Sequence, residues 1–124
     1  MSALDFRISS AHLTDDAYVV SVGGEVDLFT APQLEAHLSD LDERGARRVV
    51  VDLAAASFID SSVLSLLLST LASLERTGGK LIIVTDDRRV LSVFELGGLD
   101  GVFRLVPSLT EAVETMIDAP IELA

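Results

Sequence analysis

The stretch "SFIDSSVLSLLLSTLASLERTGGKLIIVT", residues 57–85, is the clearest indication of the fold, because a strand end, a helix and a second strand follow one another within it. Leucines at helical spacing begin at Leu64, shortly after Asp60, and the pattern predicts a helix over residues 61–77 that a pair of glycines ends. The β-branched run at 47–54 and the run at 80–85 predict strands covered on both faces. This order predicts two parallel strands joined by a crossover helix.

The rest of the chain continues this alternation after an opening hairpin. Residues 4–9 and 17–24 are predicted to be its strands, joined across a turn in "AHLTDD". Caps and apolar periodicity predict the remaining elements, which are a helix between Thr30 and Gly45, a helix at 87–96, a strand at 102–106 and a helix at 108–118. The prediction is a single α/β domain, residues 1–124, with a mixed, largely parallel sheet of about five strands and about four helices. Its core is expected over about 4–117, and residues 118–124 are expected to be a frayed tail.

The charge of the chain limits its partners. Nine basic residues against twenty acidic ones give a net charge of −11. Such a surface repels nucleic acid and anionic membranes, so neither is expected as a partner. A basic protein partner fits the charge, and so does acidity that serves solubility alone.

Cofactor and metal chemistry is not expected. Cysteine is absent, which excludes disulfides, thiolate catalysis and zinc fingers. Acidic pairs fall near predicted turns and helix ends, and the glycine pairs lack nucleotide-binding spacings. No secretory signal is recognised, and the run "LSLLL" is far shorter than the roughly 20 residues of a membrane span, so a soluble cytoplasmic protein is expected.

The helix at 61–77 has an unusual second face. A core face of Leu64, Leu67, Leu71 and Leu74, edged by Val63 and Leu68, lies opposite a face of Ser61, Ser62, Ser65, Ser69, Ser73 and Arg76. Solvated helix faces usually have longer charged residues, whereas small side chains let another backbone approach closely. The pattern favours a docking face for a partner, with Leu66 at its apolar edge, over a helix that is only rich in serine.

Ser61 lies at the predicted N-terminus of this helix, where two functions are open. A serine there commonly caps the helix, and this is the reading that the residues favour. The same unpaired N–H groups and helix dipole also suit a phosphate. Phosphorylation would add about −1.5 to −2 charge at the end of the docking face while leaving the fold intact.

The motifs Gly-Glu-Val-Asp at 24–27 and Phe-Ile-Asp-Ser-Ser at 58–62 resemble those of the STAS domain of bacterial anti-sigma factor antagonists. The resemblance extends from about residue 4 to residue 117. It implies that the serine after the motif aspartate, Ser61, is phosphorylated by a cognate anti-sigma factor that is also a GHKL-type serine kinase. A PP2C-type phosphatase would reverse this.

The resemblance also implies a function without catalysis. The unphosphorylated form would bind the anti-sigma factor and release the sigma factor, with Asp27 and Asp60 beside the phosphoacceptor. The expected partner-binding residues are Asp27, Asp60, Ser62, Val63, Ser65, Leu66 and Ser69. Val63 departs from the family, which usually has glycine there, and would change partner choice or kinase access if its side chain protruded.

Two alternatives and the oligomeric state stay open. The chain could be a STAS subunit of another assembly, a lipid-transport complex or a stressosome, without a phospho-switch. A serine-nucleophile enzyme would need a base and an oxyanion site, yet no Gly-x-Ser-x-Gly elbow is present. His12, in a predicted loop, and His37, on the first predicted helix, fit solvated surface positions better than catalytic ones.

Overall fold

The computed structural model describes residues 5–118 as an alternation of strands and helices after an opening hairpin. The elements are β1 Arg7–Thr14, β2 Ala17–Val26, α1 Ala31–Glu43, β3 Arg48–Ile59, α2 Ser61–Arg76, β4 Lys80–Val84, α3 Arg88–Leu96, β5 Arg104–Val106 and α4 Leu109–Asp118. The predicted α/β class, with five strands and four helices, is confirmed. The predicted tail lies outside the described residues from position 119 onward.

The sheet has the strand order β1-β2-β3-β4-β5, so each strand pairs with its neighbour in sequence. The β1–β2 pair is antiparallel, and the other three pairs are parallel. The carboxyl ends of β2, β3 and β4 therefore meet at one edge, where connections to α1, α2 and α3 begin.

Two apolar layers hold the domain together, one on each face of the sheet. The larger layer joins α1, α2 and α3 to the sheet through buried residues such as Leu34, Leu67 and Phe94. The smaller layer packs α4 against β3 and β4, with Ala112 and Met116 fully buried. Because α1, α2 and α3 each follow one of the parallel strands, their N-termini all lie at the carboxyl edge of these strands, on the same face of the sheet. No helix of residues 5–118 is both long and apolar enough to span a bilayer.

The opening hairpin differs from its prediction. β1 begins at Arg7 rather than at residue 4 and continues to Thr14, and the connection is only the pair Asp15-Asp16, with Asp15 at φ 44°. Residues assigned to a long turn, such as His12, pair with β2 instead. The reason is that β1 is an edge strand that is mostly exposed on both faces, so backbone pairing rather than burial defines it. β3 likewise extends past residue 54 to Ile59, because its second half continues to pair with β2 across two irregularities.

Most of the helix ends predicted from the sequence agree with the structure. The first helix has Thr30 as N-cap with a proline in its first turn, and its apolar stripe of Leu34, Leu38 and Leu41 is buried. Asp87 caps α3 by accepting from the nitrogens of Arg89 and Val90. Ser108 Oγ accepts from the Glu111 nitrogen at 3.2 Å, as its capping-box spacing predicts.

Candidate functional site

Helix α2 begins with a carboxylate cap. The Asp60 backbone is extended, and its side chain accepts from the N–H groups of Ser62 and Val63. Oδ1 of Asp60 lies 3.0 Å from the Ser62 nitrogen and 3.4 Å from the Val63 nitrogen, and it also accepts from the Ser62 hydroxyl. A carboxylate here satisfies donors that the first turn leaves unpaired and complements the positive end of the helix dipole.

Ser61 therefore does not cap the helix, and the capping function that the sequence predicted for Ser61 is wrong. It occupies the first helical position after Asp60, and its side chain is exposed. Within residues 5–118, the Ser61 hydroxyl has no hydrogen-bond partner. A neighbouring carboxylate has taken the capping function, and the hydroxyl is left facing solvent.

The loop between β2 and α1 is held beside this cap by two carboxylates. Asp27 Oδ1 accepts from the nitrogens of Phe29 at 2.9 Å and Thr30 at 3.1 Å, and the Asp27 nitrogen donates to Thr30 Oγ1 at 2.9 Å. The Leu28 nitrogen donates to Asp60 Oδ2 at 3.0 Å. Asp60 thus binds the loop and caps α2 at once, which holds the loop of Asp27 beside the helix start at Ser61.

Beyond its first turn, α2 exposes a side with small residues. Ser65 and Ser69 are exposed, and at about 1.5 Å of rise per residue Ser69 lies roughly 12 Å along the axis from Ser61. Leu68, placed by the sequence at the edge of the core face, belongs to this outer side with 36% of its surface exposed. The serine-rich face predicted from the sequence is therefore continuous with the exposed Ser61 hydroxyl.

One edge of this exposed side of α2 borders a groove shared with α1. Leu66 is half-buried against the core, and Ser69, Thr70 and Ser73 line the groove with it. The groove has a volume of about 180 Å³, an apolar floor that includes Leu38, and Glu35 and Asp42 at its α1 side. Leu66 and Ser69 therefore lie further along α2, one to two turns away from the cap at its N-terminus.

Val63 is a core residue, which corrects its assignment to the partner-binding surface. Its side chain has 0% exposure and packs in the larger apolar layer. The position follows from the helix start: with Asp60 as N-cap, the third residue of the first turn faces the sheet. A partner at the surface therefore meets no β-branched side chain at this position, and Val63 contributes to stability instead.

Neither histidine contacts the Ser61 hydroxyl. His12 lies on β1, with Nε2 2.7 Å from the carbonyl oxygen of Asp15 and its ring 4.7 Å from that of Tyr18. His37 is half-buried on α1, with Nδ1 2.7 Å from the Ser10 hydroxyl. Both imidazoles have partners of their own, so among the described residues no histidine is placed to activate Ser61. No group of three His, Asp or Glu side chains within residues 5–118 is arranged to bind a metal ion.

The sequence interpretation missed two residues at this site. Leu28 and Phe29 in the β2–α1 loop are 65% and 86% exposed. Their position in the sequence could have identified them. Both are large apolar residues between the last strand residue and the N-cap, where neither the strand period nor the helix period requires an apolar residue.

The fold and the site define a small α/β binding domain that presents a free hydroxyl at the capped start of one helix. The chain belongs to the STAS domain family, whose model matches residues 9–112. It is 39% identical over 85 residues to an anti-sigma-B factor antagonist of Staphylococcus epidermidis, an alignment that covers 68% of this chain and 79% of that protein.

Solved structures agree with the sequence relatives. The fold matches that of an anti-sigma factor antagonist from Mycobacterium paratuberculosis with a TM-score of 0.79 and 32% identity, over 90% of this chain and 96% of that one. It matches the unphosphorylated form of the anti-sigma factor antagonist SpoIIAA with a TM-score of 0.79 and 25% identity, over 94% of this chain and all 100% of that one. A structure of SpoIIAA in its phosphorylated form also matches, with a TM-score of 0.68 and 26% identity over 88% of this chain and 96% of that one.

Proposed function

We propose that the chain is a cytoplasmic anti-sigma factor antagonist that is switched by phosphorylation of Ser61. In its unphosphorylated form it binds an anti-sigma factor of the GHKL serine-kinase type, and the sigma factor held by that protein is released. The kinase activity of the same partner phosphorylates Ser61, which ends binding, and a PP2C-type phosphatase restores the hydroxyl.

The proposal rests on the observation that Asp60, and not Ser61, caps α2. Because Asp60 caps α2, the Ser61 hydroxyl is exposed and unbonded among the described residues. A kinase can reach this hydroxyl without opening the helix, and its loss to a phosphate ester removes no bond that the fold needs. The switch therefore changes the surface and leaves the stability of the domain unchanged.

The charge around Ser61 leaves a phosphate there without a cationic partner in the neighbouring segments. Residues 24–31 and 57–66 contain no Lys or Arg, whereas Glu25, Asp27 and Asp60 lie within them. None of the three ion pairs among residues 5–118 includes a residue of these segments. A phosphate at Ser61 thus has no arginine or lysine from these segments to pair with, and it adds charge to an acidic surface instead of ordering a new internal contact.

The same surface supplies the other contacts of the proposed interface. Asp27 and Asp60 fix its loop and helix start, and Ser62, half-buried beside the cap, lies under it. Ser65 and Ser69 extend it along the exposed side of α2, with Leu66 at the groove. Small side chains there let a partner helix approach closely.

The test uses the GHKL-type anti-sigma factors of the host, each purified and titrated against the wild-type chain by calorimetry. We expect one of them to bind the wild-type chain and, in the presence of ATP, to phosphorylate Ser61, which mass spectrometry would detect. We expect its affinity for the Ser61→Asp variant to be lower by at least about 100-fold. Thr110→Asp is the matched control, because it places the same carboxylate in the first turn of α4, on the opposite face of the sheet. Equal affinity of the two variants, or phosphate on another residue, would refute the switch.

A further inference from the structure

We infer that Phe29, with Leu28 beside it, is the apolar anchor of the partner interface and inserts into an apolar pocket of the anti-sigma factor that is bordered by Lys or Arg side chains. The inference rests on the proposed function and adds the residue that determines the specificity of the same site. It begins from exposure: Phe29 is 86% exposed and Leu28 65%, in a domain whose other described phenylalanines, apart from Phe58, are at least half-buried.

Packing among residues 5–118 does not account for the position of Phe29. Thr30 is the N-cap of α1, so Phe29 precedes the cap, the place from which an apolar side chain often packs against the fourth helical residue. That residue is Leu34, which is fully buried, while Phe29 remains exposed. The ring is therefore not a hydrophobic staple, and its exposure has no intramolecular gain to offset it.

The exposed pair is held firmly by its backbone. The nitrogens of Leu28 and Phe29 donate to Asp60 Oδ2 and Asp27 Oδ1 at 3.0 and 2.9 Å, and Thr30, which closes the loop, is only 7% exposed. A fixed backbone lowers the entropy lost on binding, and a phenylalanine has only two side-chain torsions to order. These features are typical of an aromatic anchor at the centre of an interface.

Position and charge identify the occupant. The β2–α1 loop is hydrogen-bonded to Asp60, the residue that precedes Ser61. A protein that binds Phe29 in a pocket therefore also covers the phosphoacceptor hydroxyl. Glu25 and Asp27 precede the ring closely in sequence, and Glu25 is exposed. An apolar pocket with cationic side chains at its edge complements this arrangement.

The experiment measures binding to the anti-sigma factor that the wild-type chain recognises. Phe29→Ala is expected to weaken affinity about tenfold or more, Phe29→Tyr to retain most of it, and Glu25→Gln to lower the association rate and its dependence on salt. The control is Ile117→Ala, which removes an aliphatic side chain that is 43% exposed on α4, across the sheet. All variants are expected to melt within about 2 °C of wild type, since surface changes alter stability little.

The outcomes separate this inference from the function on which it rests. If wild type binds, Ser61→Asp abolishes binding and Phe29→Ala weakens it no more than Ile117→Ala does, the anchor is wrong and the switch stands. If none of the purified anti-sigma factors binds the wild-type chain, the proposed function fails and the anchor with it. A loss with Phe29→Ala that Phe29→Tyr restores supports the anchor.

Discussion

The backbone N–H of Leu28 donates to Oδ2 of Asp60 across 3.0 Å, and this bond joins two segments that are 32 residues apart in sequence. One segment is the loop that leads into α1, and the other is the start of α2. The same carboxylate caps α2 through its other oxygen. The bond therefore fixes the relative position of the exposed Phe29 and the exposed Ser61 hydroxyl, which are the two features of the proposed interface.

Replacement of Asp60 tests this double function. Asp60→Ala removes the cap of α2 and the acceptor of the Leu28 N–H, so we expect the free energy of unfolding to fall by roughly 2 kcal/mol. Asp60→Asn retains an acceptor oxygen and should lose about half as much. Urea denaturation measures both, with Asp86→Ala as the control, because Asp86 is an exposed aspartate in another strand-to-helix connection. An Asp60→Ala protein as stable as the control would show that the cap contributes nothing.

Val63 is predicted to stabilise the core rather than the interface. Val63→Ala removes fully buried methyl groups and should lower the free energy of unfolding by roughly 2 kcal/mol. Val63→Gly should lower it by about 1 kcal/mol more, through the backbone entropy of glycine in a helix. Chemical denaturation gives these values, and affinity for the anti-sigma factor is the second readout. If a Val63 variant were as stable as wild type but bound the anti-sigma factor with altered affinity, Val63 would belong to the partner surface after all.

Gly24 is required by both conformation and space. Its φ is +84°, and a Cβ built there would lie 2.4 Å from the backbone oxygen of Asp5. Gly45 has the same φ, but no atom lies within 4 Å of a built Cβ. Gly45→Ala should therefore show only the left-handed strain, about 1 kcal/mol, whereas Gly24→Ala should destabilise the chain by at least about 2 kcal/mol more. Equal thermal shifts in the two variants would mean that the clash is absent.

Asp87 gives a prediction in acid. The Arg89 side chain donates to its carboxylate, and the backbone N–H groups of Arg89 and Val90 add to this, which lowers the pKa of Asp87 from 3.8 to about 2. Because the pKa is lower in the folded state, the stabilisation is present above about pH 3.8 and is lost as the pH falls toward 2. NMR titration of the carboxyl carbon should show this pKa, and Arg89→Met should raise it partway to the ordinary value. An Asp87 that titrates at 3.8 in the wild-type chain would contradict the bond.

The sequence alone predicts the order of strands and helices and the place of Ser61 at the start of the leucine-rich helix. These features depend on periodicity, caps and glycine stops, which act between residues only a few positions apart. It also identified the motif of Asp60, Ser61 and Ser62, since the residue types and their spacing are local. The hairpin was misplaced because β1 is an exposed edge strand without a clear apolar period.

Long-range contacts in the folded chain determine which of these residues caps α2, which side chain is buried and which is exposed. Asp60 is the cap because the Leu28 loop and the first turn of α2 converge on its carboxylate. Val63 is buried because that cap sets the phase of the helix against the sheet. Phe29 lies beside the start of α2 because its loop is bonded to a residue from a distant part of the chain, and contacts of this kind leave no periodic trace in the sequence.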